Sequence, residues 1–358
     1  MTELRLGIIG AGRIAGRFLR EASYVEDVRV TAIYNRHIER AEALAEASLE
    51  NAKGSAGAKV SNQEVTPKTS EILCTDDIRE IYRTCDAVYI AINHEAHFEY
   101  AKDALEHGMH VLCEKPMTLS KREAEDLFAL AKARGLILME ALKTAYMPGF
   151  QEGMDNAQAG RIGRVIDVEA AFSKLLQDPN SRELQGEIGG SFTELASYAL
   201  LPIAKLLGHH PLDIQYISYV DERGIDLYTK ALFTYEHATA TVKVGLGAKT
   251  EGNLVLAGTD GYLLAESPWW YGREYQLCYE DRSRNEKHEV ACEGDGLRYE
   301  IRAFAQRVAS GNVASERTSE RKEAQRPTEA WTEEDSIFLA EMMEEYLAAR
   351  REGRIRRI

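Results

Sequence analysis

Over residues 1–141, short apolar runs alternate with stretches in which apolar residues recur every three or four positions. Leu4, Leu6, Ile8 and Ile9 mark a first strand, followed by glycines and the helical run RIAGRFLREA. The strand VRVTAIYNR (28–36) feeds the Ala- and Glu-rich helix IERAEALAEA, and DAVYIAI (86–92) leads to the helix EAHFEYAKDALEHG. HVLCEKP (110–116), the helix KREAEDLFALAKARG and the strand LILMEA close the series. Strands alternating with helices of this length predict an α/β domain, a parallel sheet with helices on its faces. Residues 51–70, NAKGSAGAKVSNQEVTPKTS, are polar, Gly/Ser-rich and non-periodic, which predicts a long, mobile surface loop.

After Tyr146 the pattern changes. A helix within GGSFTELASYALLPIAKLLG is followed by DIQYISYV, LYTKALFTY, ATATVKVG and NLVLAG, several with apolar–polar alternation. Turn signals separate them at Arg223-Gly224, Glu236-His237 and Asp260-Gly261. This predicts a second, α+β domain over 142–358, built on a mostly antiparallel sheet with one face covered and one more polar. A large half-covered sheet is a frequent oligomer surface, so a homodimer or homotetramer through it is expected. Helical periodicity returns in LRYEIRAFAQRVASG and in EEDSIFLAEMMEEYLAARREG, the latter with Thr332 as N-cap and Asp335 three residues on.

Length agrees with two domains, since 358 residues exceed what one core usually supports. A net charge of -14 argues against nucleic acid or an anionic membrane as main partner. The basic tail REGRIRRI reads as a solvated end. Cys74, Cys85, Cys113, Cys278 and Cys292 form no CxxC pair and are odd in number, so neither a zinc knuckle nor a disulfide framework is expected and no metal site is assigned. MTELRLGIIGAGR enters a strand directly, without a signal-peptide layout, and no apolar run reaches the ~18 residues of a membrane span. A cytoplasmic protein with reduced thiols is the expectation.

Three motifs carry chemistry. In Gly10-Ala11-Gly12-Arg13-Ile14-Ala15, between a strand and a helix, Gly10 allows a tight turn and Gly12 a close approach to pyrophosphate. Ala15 is small enough for helix–strand packing, and the helix start attracts the anion. At the end of the second strand, Tyr34-Asn35-Arg36 lacks the acid that holds the ribose hydroxyls of NAD. An amide and a guanidinium there, with Arg40 one turn on, favour the 2′-phosphate of NADP, with NAD as the alternative. The third motif is Cys113-Glu114-Lys115-Pro116, at the C-terminal end of a strand, where ligands of open α/β sheets bind. A lysine fixed there stabilises the alkoxide-like charge of a hydride transfer.

GxGxxA near the N-terminus, AINHEAHFEYA and HVLCEKPMTLS together resemble the Gfo/Idh/MocA oxidoreductases, among them glucose-fructose oxidoreductase, inositol dehydrogenase and dihydrodiol dehydrogenase. GGSFTELASYAL is similar to the family's GG-x(4)-D-x-x-x-H/Y helix. The resemblance implies an N-terminal Rossmann domain, a C-terminal α+β domain with an open sheet, and NAD(P)-dependent redox chemistry on sugars, polyols or related alcohols. It implies Lys115, Glu194 and Tyr198 at the reacting centre. It also implies cofactor contacts from the loop Ala91-Ile92-Asn93-His94-Glu95-Ala96-His97 and from Glu114, beside Gly10 to Ala15, Asn35 and Arg36. Two departures stand out. Glu194 replaces the usual Asp, and the loop that usually reads TPNxxH has Asn93 and His94 at the proline and asparagine positions, keeping only His97.

Glu194 also has a local explanation. Ser191-Phe192-Thr193-Glu194 fits a capping box, with Ser191 as N-cap and Glu194 reaching back to its N–H. Phe192, Leu195, Ala196, Ala199 and Ile203 share an apolar face, opposite Glu194, Tyr198 and Lys205. Pro202 predicts a kink or an early end, because its ring meets the Tyr198 carbonyl. In the expected mechanism Tyr198 moves the hydroxyl proton, its pKa lowered by the Lys115 ammonium, while Glu194 orients substrate or tunes the lysine. Lys143, Tyr146, Trp269 and Trp270 are further candidates for substrate contact, or for packing. The competing expectation is an NAD(P)-binding sensor without turnover.

Overall fold

The computed structural model describes residues 3–54, 72–311 and 330–358, with the side chains of 49–54 left aside. Two compact units emerge, the first comprising Met1–Thr118, Arg122–Lys143 and Glu293–Thr328, the second the remainder.

The first unit follows the alternation of the sequence. Its order is β1 (Leu4–Ile9), α1 (Arg13–Ala22), β2 (Val28–Tyr34), α2 (Ile38–Gly54), β3 (Leu73–Thr75), α3 (Ile78–Thr84), β4 (Ala87–Ile90), α4 (His97–Glu106), β5 (His110–Glu114), α5 (Lys121–Arg134) and β6 (Leu138–Ala141). The six strands are all parallel in the order β3-β2-β1-β4-β5-β6. That is the doubly wound order whose direction reverses between β1 and β4, where such sheets bind ligands. β1 and β4 are almost wholly buried, as strands covered on both faces must be. Residues 51–54 of the stretch expected as a loop belong instead to α2, which runs on through Gly54; the rest of that stretch lies outside the described residues.

In the second unit α6 (Pro148–Gln158), β7 (Val165–Ser173) and α7 (Ser191–Leu207) precede a run of seven strands. Its strands are β8 (Asp213–Val220), β9 (Asp226–Thr234), β10 (Thr239–Gly245), β11 (Leu254–Gly258), β12 (Gly261–Ala265), β13 (Glu274–Tyr279) and β14 (Glu286–Glu289). α8 (Leu297–Ser310) follows, then α9 (Glu333–Arg351) and the two-residue β15 (Arg356–Arg357). The nine strands lie in the order β14-β13-β12-β11-β7-β10-β9-β8-β15, antiparallel except for β7 with β10 and β15 with β8. Ala231, Val242, Ala170 and Leu254 are paired across four strands and buried, on the face that α7 covers over β9, β10 and β7. The next row, Leu232, Thr241, Glu169, Val255, Leu264 and Gln276, belongs to the opposite, more polar face. Thr332 caps α9 in a complete capping box with Asp335, as expected.

α8 belongs by its contacts to the first unit, although 142–358 was expected to form one domain. Its Arg298 makes a paired contact to Glu21 of α1, Nε–Oε2 at 3.0 Å and Nη2–Oε1 at 3.1 Å, both residues buried. The same guanidinium lies over the Tyr24 ring at 4.4 Å. Just before α8, Asp295 accepts from Arg17 at 2.9 Å and from Arg20 at 2.6 Å. Charge pairing that is invisible to periodicity therefore joins α8 to α1.

Candidate functional site

In the first unit the predicted residues gather at the C-terminal edge of the sheet. Gly10 follows β1 with φ +111°, and a Cβ placed there would overlap the carbonyl oxygen of Ala91, which follows β4. Glycine is therefore required where the chain crosses the switch point. At Gly12 a Cβ would meet nothing within 4 Å, so the backbone there borders open space. Gly12 caps α1 without a side-chain bond, and the first turn of that ten-residue helix holds no acid. Ala15 is fully buried, while Arg13 is exposed and Ile14 half-buried. An uncapped helix start beside an open glycine fits a dinucleotide pyrophosphate.

The tip of β2 presents an amide and two guanidiniums. Asn35 Oδ1 accepts from the His37 N–H at 3.0 Å, which leaves the amide nitrogen as a donor. Arg36 and Arg40 are exposed. This donor set suits a ribose 2′-phosphate, which neither position would repel.

Of the loop after β4, Asn93 is exposed and His94 buried, its ring 5.5 Å from that of His97. His97 is fully buried. Its Nδ1 lies 2.8 Å from Pro116 O and its Nε2 3.3 Å from Ile92 O, so it ties this loop to the one carrying Lys115. On the far side of that turn the Met117 N–H donates to Glu140 Oε1 at 2.8 Å. Lys115 thus projects from a turn held at Pro116 and at Met117, which limits where its ammonium can go.

Glu114, the residue before it, has both carboxyl oxygens engaged within the unit. Tyr89 OH donates to Oε1 at 2.6 Å and the Lys115 N–H to Oε2 at 3.2 Å. Burial pushes its pKa up, opposed by the Lys115 charge and these hydrogen bonds. Close behind lies a second carboxyl that sequence reading missed. Glu300 of α8 is 0% exposed, and neither of its oxygens has a hydrogen-bond partner among the described residues. Burial first, then the Glu114 charge, drive its pKa well above the usual carboxylate range, while Lys143 and Arg17 oppose them. Lys143 is buried and its Nζ donates to Asp295 O at 2.7 Å, a structural bond within the unit.

In the second unit Glu194 and Tyr198 lie one turn apart on α7. The expected capping box at Ser191–Glu194 does not form. Gly190 is the N-cap, with φ +139°, and the cap is supplied from β9: Phe192 N–H donates to Asp226 Oδ2 at 2.9 Å. Ser191 Oγ donates to Asp226 O and accepts from the Leu246 N–H, both at 3.0 Å. A buried carboxylate delivered by the sheet outcompetes the local partner. Glu194 stands 3.5 Å from Arg182 instead.

The polar side of α7 is not a solvated face either. The Glu194 and Lys205 side chains are only 12% and 10% exposed, and Lys205 Nζ bonds Asp335 Oδ2 at 3.0 Å. The Tyr198 ring stacks on Phe172 of β7 with centroids 4.8 Å apart and planes 10° from parallel. Pro202 does not end the helix, which continues to Leu207. Trp269 is core, its Nε1 donating to Ala171 O at 2.9 Å, and Tyr146 is buried. Trp270 is half-buried against Phe172, centroids 3.9 Å apart. Among the described residues no cluster of His, Cys, Asp and Glu is placed to hold a metal ion, and no helix is long and apolar enough to cross a membrane.

Residues 4–142 match the model of the oxidoreductase family GFO_IDH_MocA, described by its NAD-binding Rossmann fold. The scyllo-inositol 2-dehydrogenase (NADP(+)) IolU of Bacillus subtilis (strain 168) is 28% identical over 350 residues, 96% of this chain and 95% of its own. The D-xylose 1-dehydrogenase (NADP(+)) 2 of Haloferax volcanii is 28% identical over 320 residues, 87% of this chain and 90% of its own. Among solved structures, the 3-ketoreductase KijD10 from Actinomadura kijaniata, in complex with NADP and TDP-benzene, superposes with a TM-score of 0.76 at 25% identity, covering 100% of this chain and 99% of that one.

Proposed function

We propose, on the premise that this chain belongs to the Gfo/Idh/MocA oxidoreductases, that it transfers a hydride between NADP and a secondary alcohol or carbonyl of a sugar, polyol or related small molecule. The observation that carries this reading is the Gly10–Ala91 crossing at the switch point, with the uncapped start of α1 beside it and the Lys115 turn on the same sheet edge. A sensor without turnover has no counterpart among these relatives, which are dehydrogenases and a ketoreductase.

The first unit is read as the cofactor unit. Gly10, Gly12, Arg13, Ile14 and Ala15 receive the pyrophosphate, and Asn35 and Arg36 the 2′-phosphate ribose. Ala91, Asn93 and His94 border the nicotinamide side, His97 holds their loop, and Glu114 holds the backbone of Lys115. NADP when bound supplies or takes up the hydride. Lys115 donates a hydrogen bond to the reacting oxygen and stabilises the negative charge that develops there. Tyr198 takes up or returns the hydroxyl proton, and Glu194 accepts hydroxyl hydrogen bonds from substrate. The second unit is read as the substrate and assembly unit, forming a homodimer or homotetramer through the polar face of its sheet, in the cytoplasm.

The test is an oxidation screen of scyllo-inositol, other cyclitols and free aldoses with NADP and with NAD. Turnover preferring NADP is expected, with kcat for Lys115→Ala reduced at least ~100-fold and NADP affinity little changed. Wild-type turnover by the alanine variant would remove Lys115 from the chemistry.

A further inference from the structure

We infer that Phe172 and Trp270 are positioning residues for Tyr198, an inference that rests on the reading of Tyr198 as the proton-transfer group. A phenol that exchanges a proton with a bound hydroxyl must hold its oxygen to within roughly 0.5 Å of one place. Helix α7 fixes the Cα of Tyr198, but its two side-chain torsions place the oxygen and set the plane of the ring. Phe172 restrains them. The two rings are stacked at 4.8 Å and within 10° of parallel, so Phe172 bars the swing of the first torsion that would carry the hydroxyl toward it and holds the plane in which the phenolic O–H lies.

Phe172 is in turn wedged. Trp270 meets it at 3.9 Å with planes 44° apart, so the phenylalanine cannot swing away from Tyr198 without displacing the indole. The turn carrying Trp270 is fastened on two sides. Trp269 Nε1 donates to Ala171 O, the residue before Phe172, and Thr144 Oγ1 donates to Trp270 O, both at 2.9 Å. β7 and the Trp269–Tyr271 turn thus form one braced block, and its free aromatic edge orients the phenol. None of these residues has to touch substrate for this. Phe172 lies on a strand that precedes α7, and Trp270 in a turn well beyond it, so no local motif links either to Tyr198.

The experiment is a cycle of variants assayed for kcat, KM and the pH profile of kcat. Phe172→Leu keeps apolar bulk but removes the flat face; Phe172→Tyr keeps the face. Phe172→Leu is expected to lower kcat about tenfold or more, since small displacements of a reacting group cost heavily, with KM for NADP within about twofold of wild type. Phe172→Tyr is expected to restore most of that loss. In a Tyr198→Phe background Phe172→Leu should add no further loss, because the group it positions is gone. Should Phe172→Leu fold poorly, Trp270→Leu makes the same test one contact further out. Wild-type kcat in Phe172→Leu, or an equal loss with and without the Tyr198 hydroxyl, overturns the positioning role. Wild-type kcat in Tyr198→Phe alone instead overturns the reading on which it rests.

Discussion

Asp226 Oδ2 accepts the Phe192 backbone N–H at 2.9 Å, so a strand carboxylate caps the helix that carries Glu194 and Tyr198. The carboxyl is 1% exposed, and Thr229 Oγ1 also donates to it at 2.9 Å. Burial nevertheless dominates and lifts its pKa to about 6, from 3.8. An acid with a raised folded value stabilises the fold fully below its unfolded pKa, and that contribution is lost as pH rises through the folded one.

Between about pH 4 and 6 this group alone therefore removes about 1.4 kcal/mol of stability per pH unit. Asp226→Asn keeps an acceptor for the Phe192 N–H and abolishes the loss. Thermal unfolding across pH 4–8 should show the variant gaining on wild type as pH rises. Parallel curves for the two proteins would refute the assignment.

Glu300 extends the same logic to the first unit. Its carboxyl is fully buried beside Glu114, with its pKa driven well above the usual range by burial. The unfolded chain ionises this group above about pH 4.5 and the folded one does not, so wild-type stability falls with pH from there. Glu300→Gln should flatten that fall in urea titrations at pH 5 and pH 8, with kcat within about twofold of wild type. A variant that loses stability more at pH 8 than at pH 5 would mean that the carboxyl is ionised in the fold.

The two fingerprint glycines should separate folding from binding. Gly10→Ala sets a methyl against Ala91 O at φ +111°, a strain on the order of 1–3 kcal/mol, and should lower Tm in the absence of cofactor. Gly12 has φ -87° and open space around it, so Gly12→Ala should leave the apo Tm unchanged. On the proposed role of Gly12 its methyl would occupy the approach to the pyrophosphate, and NADP should no longer raise Tm in a thermal-shift assay. Equal effects of both substitutions on the apo protein would defeat this distinction.

Arg36→Glu places a carboxylate at the β2 tip. NADP Kd should rise by at least about tenfold, while NADH binding holds or improves, as fluorescence titration can measure. An unchanged ratio of the two affinities would remove Arg36 from the 2′-phosphate site.

Much of this was legible in the chain. The first unit could be read because its strands are buried on both faces and its helices amphipathic, and the Thr332–Asp335 box because both partners are local. β3 and α3 were missed, being three and seven residues long. β7, which carries Phe172, was missed because Val165–Ser173 mixes acids with apolar residues on a strand paired on both sides. The Ser191–Glu194 box was a sound local inference overruled by Asp226, 35 positions further on from Ser191. Glu300 and Phe172 carry no motif, since their meaning lies in what other elements bring beside them.

The Glu21–Arg298 pair bears on how the protein is made. The ribosome releases α1 early, yet the guanidinium that neutralises the buried Glu21 is encoded 277 residues later. Until then the nascent first unit holds an acid without its counter-charge and a helix without its cover. A gene fragment ending near residue 141 would express that unfinished state, so a soluble, NADP-competent fragment needs α8 fused back onto its end.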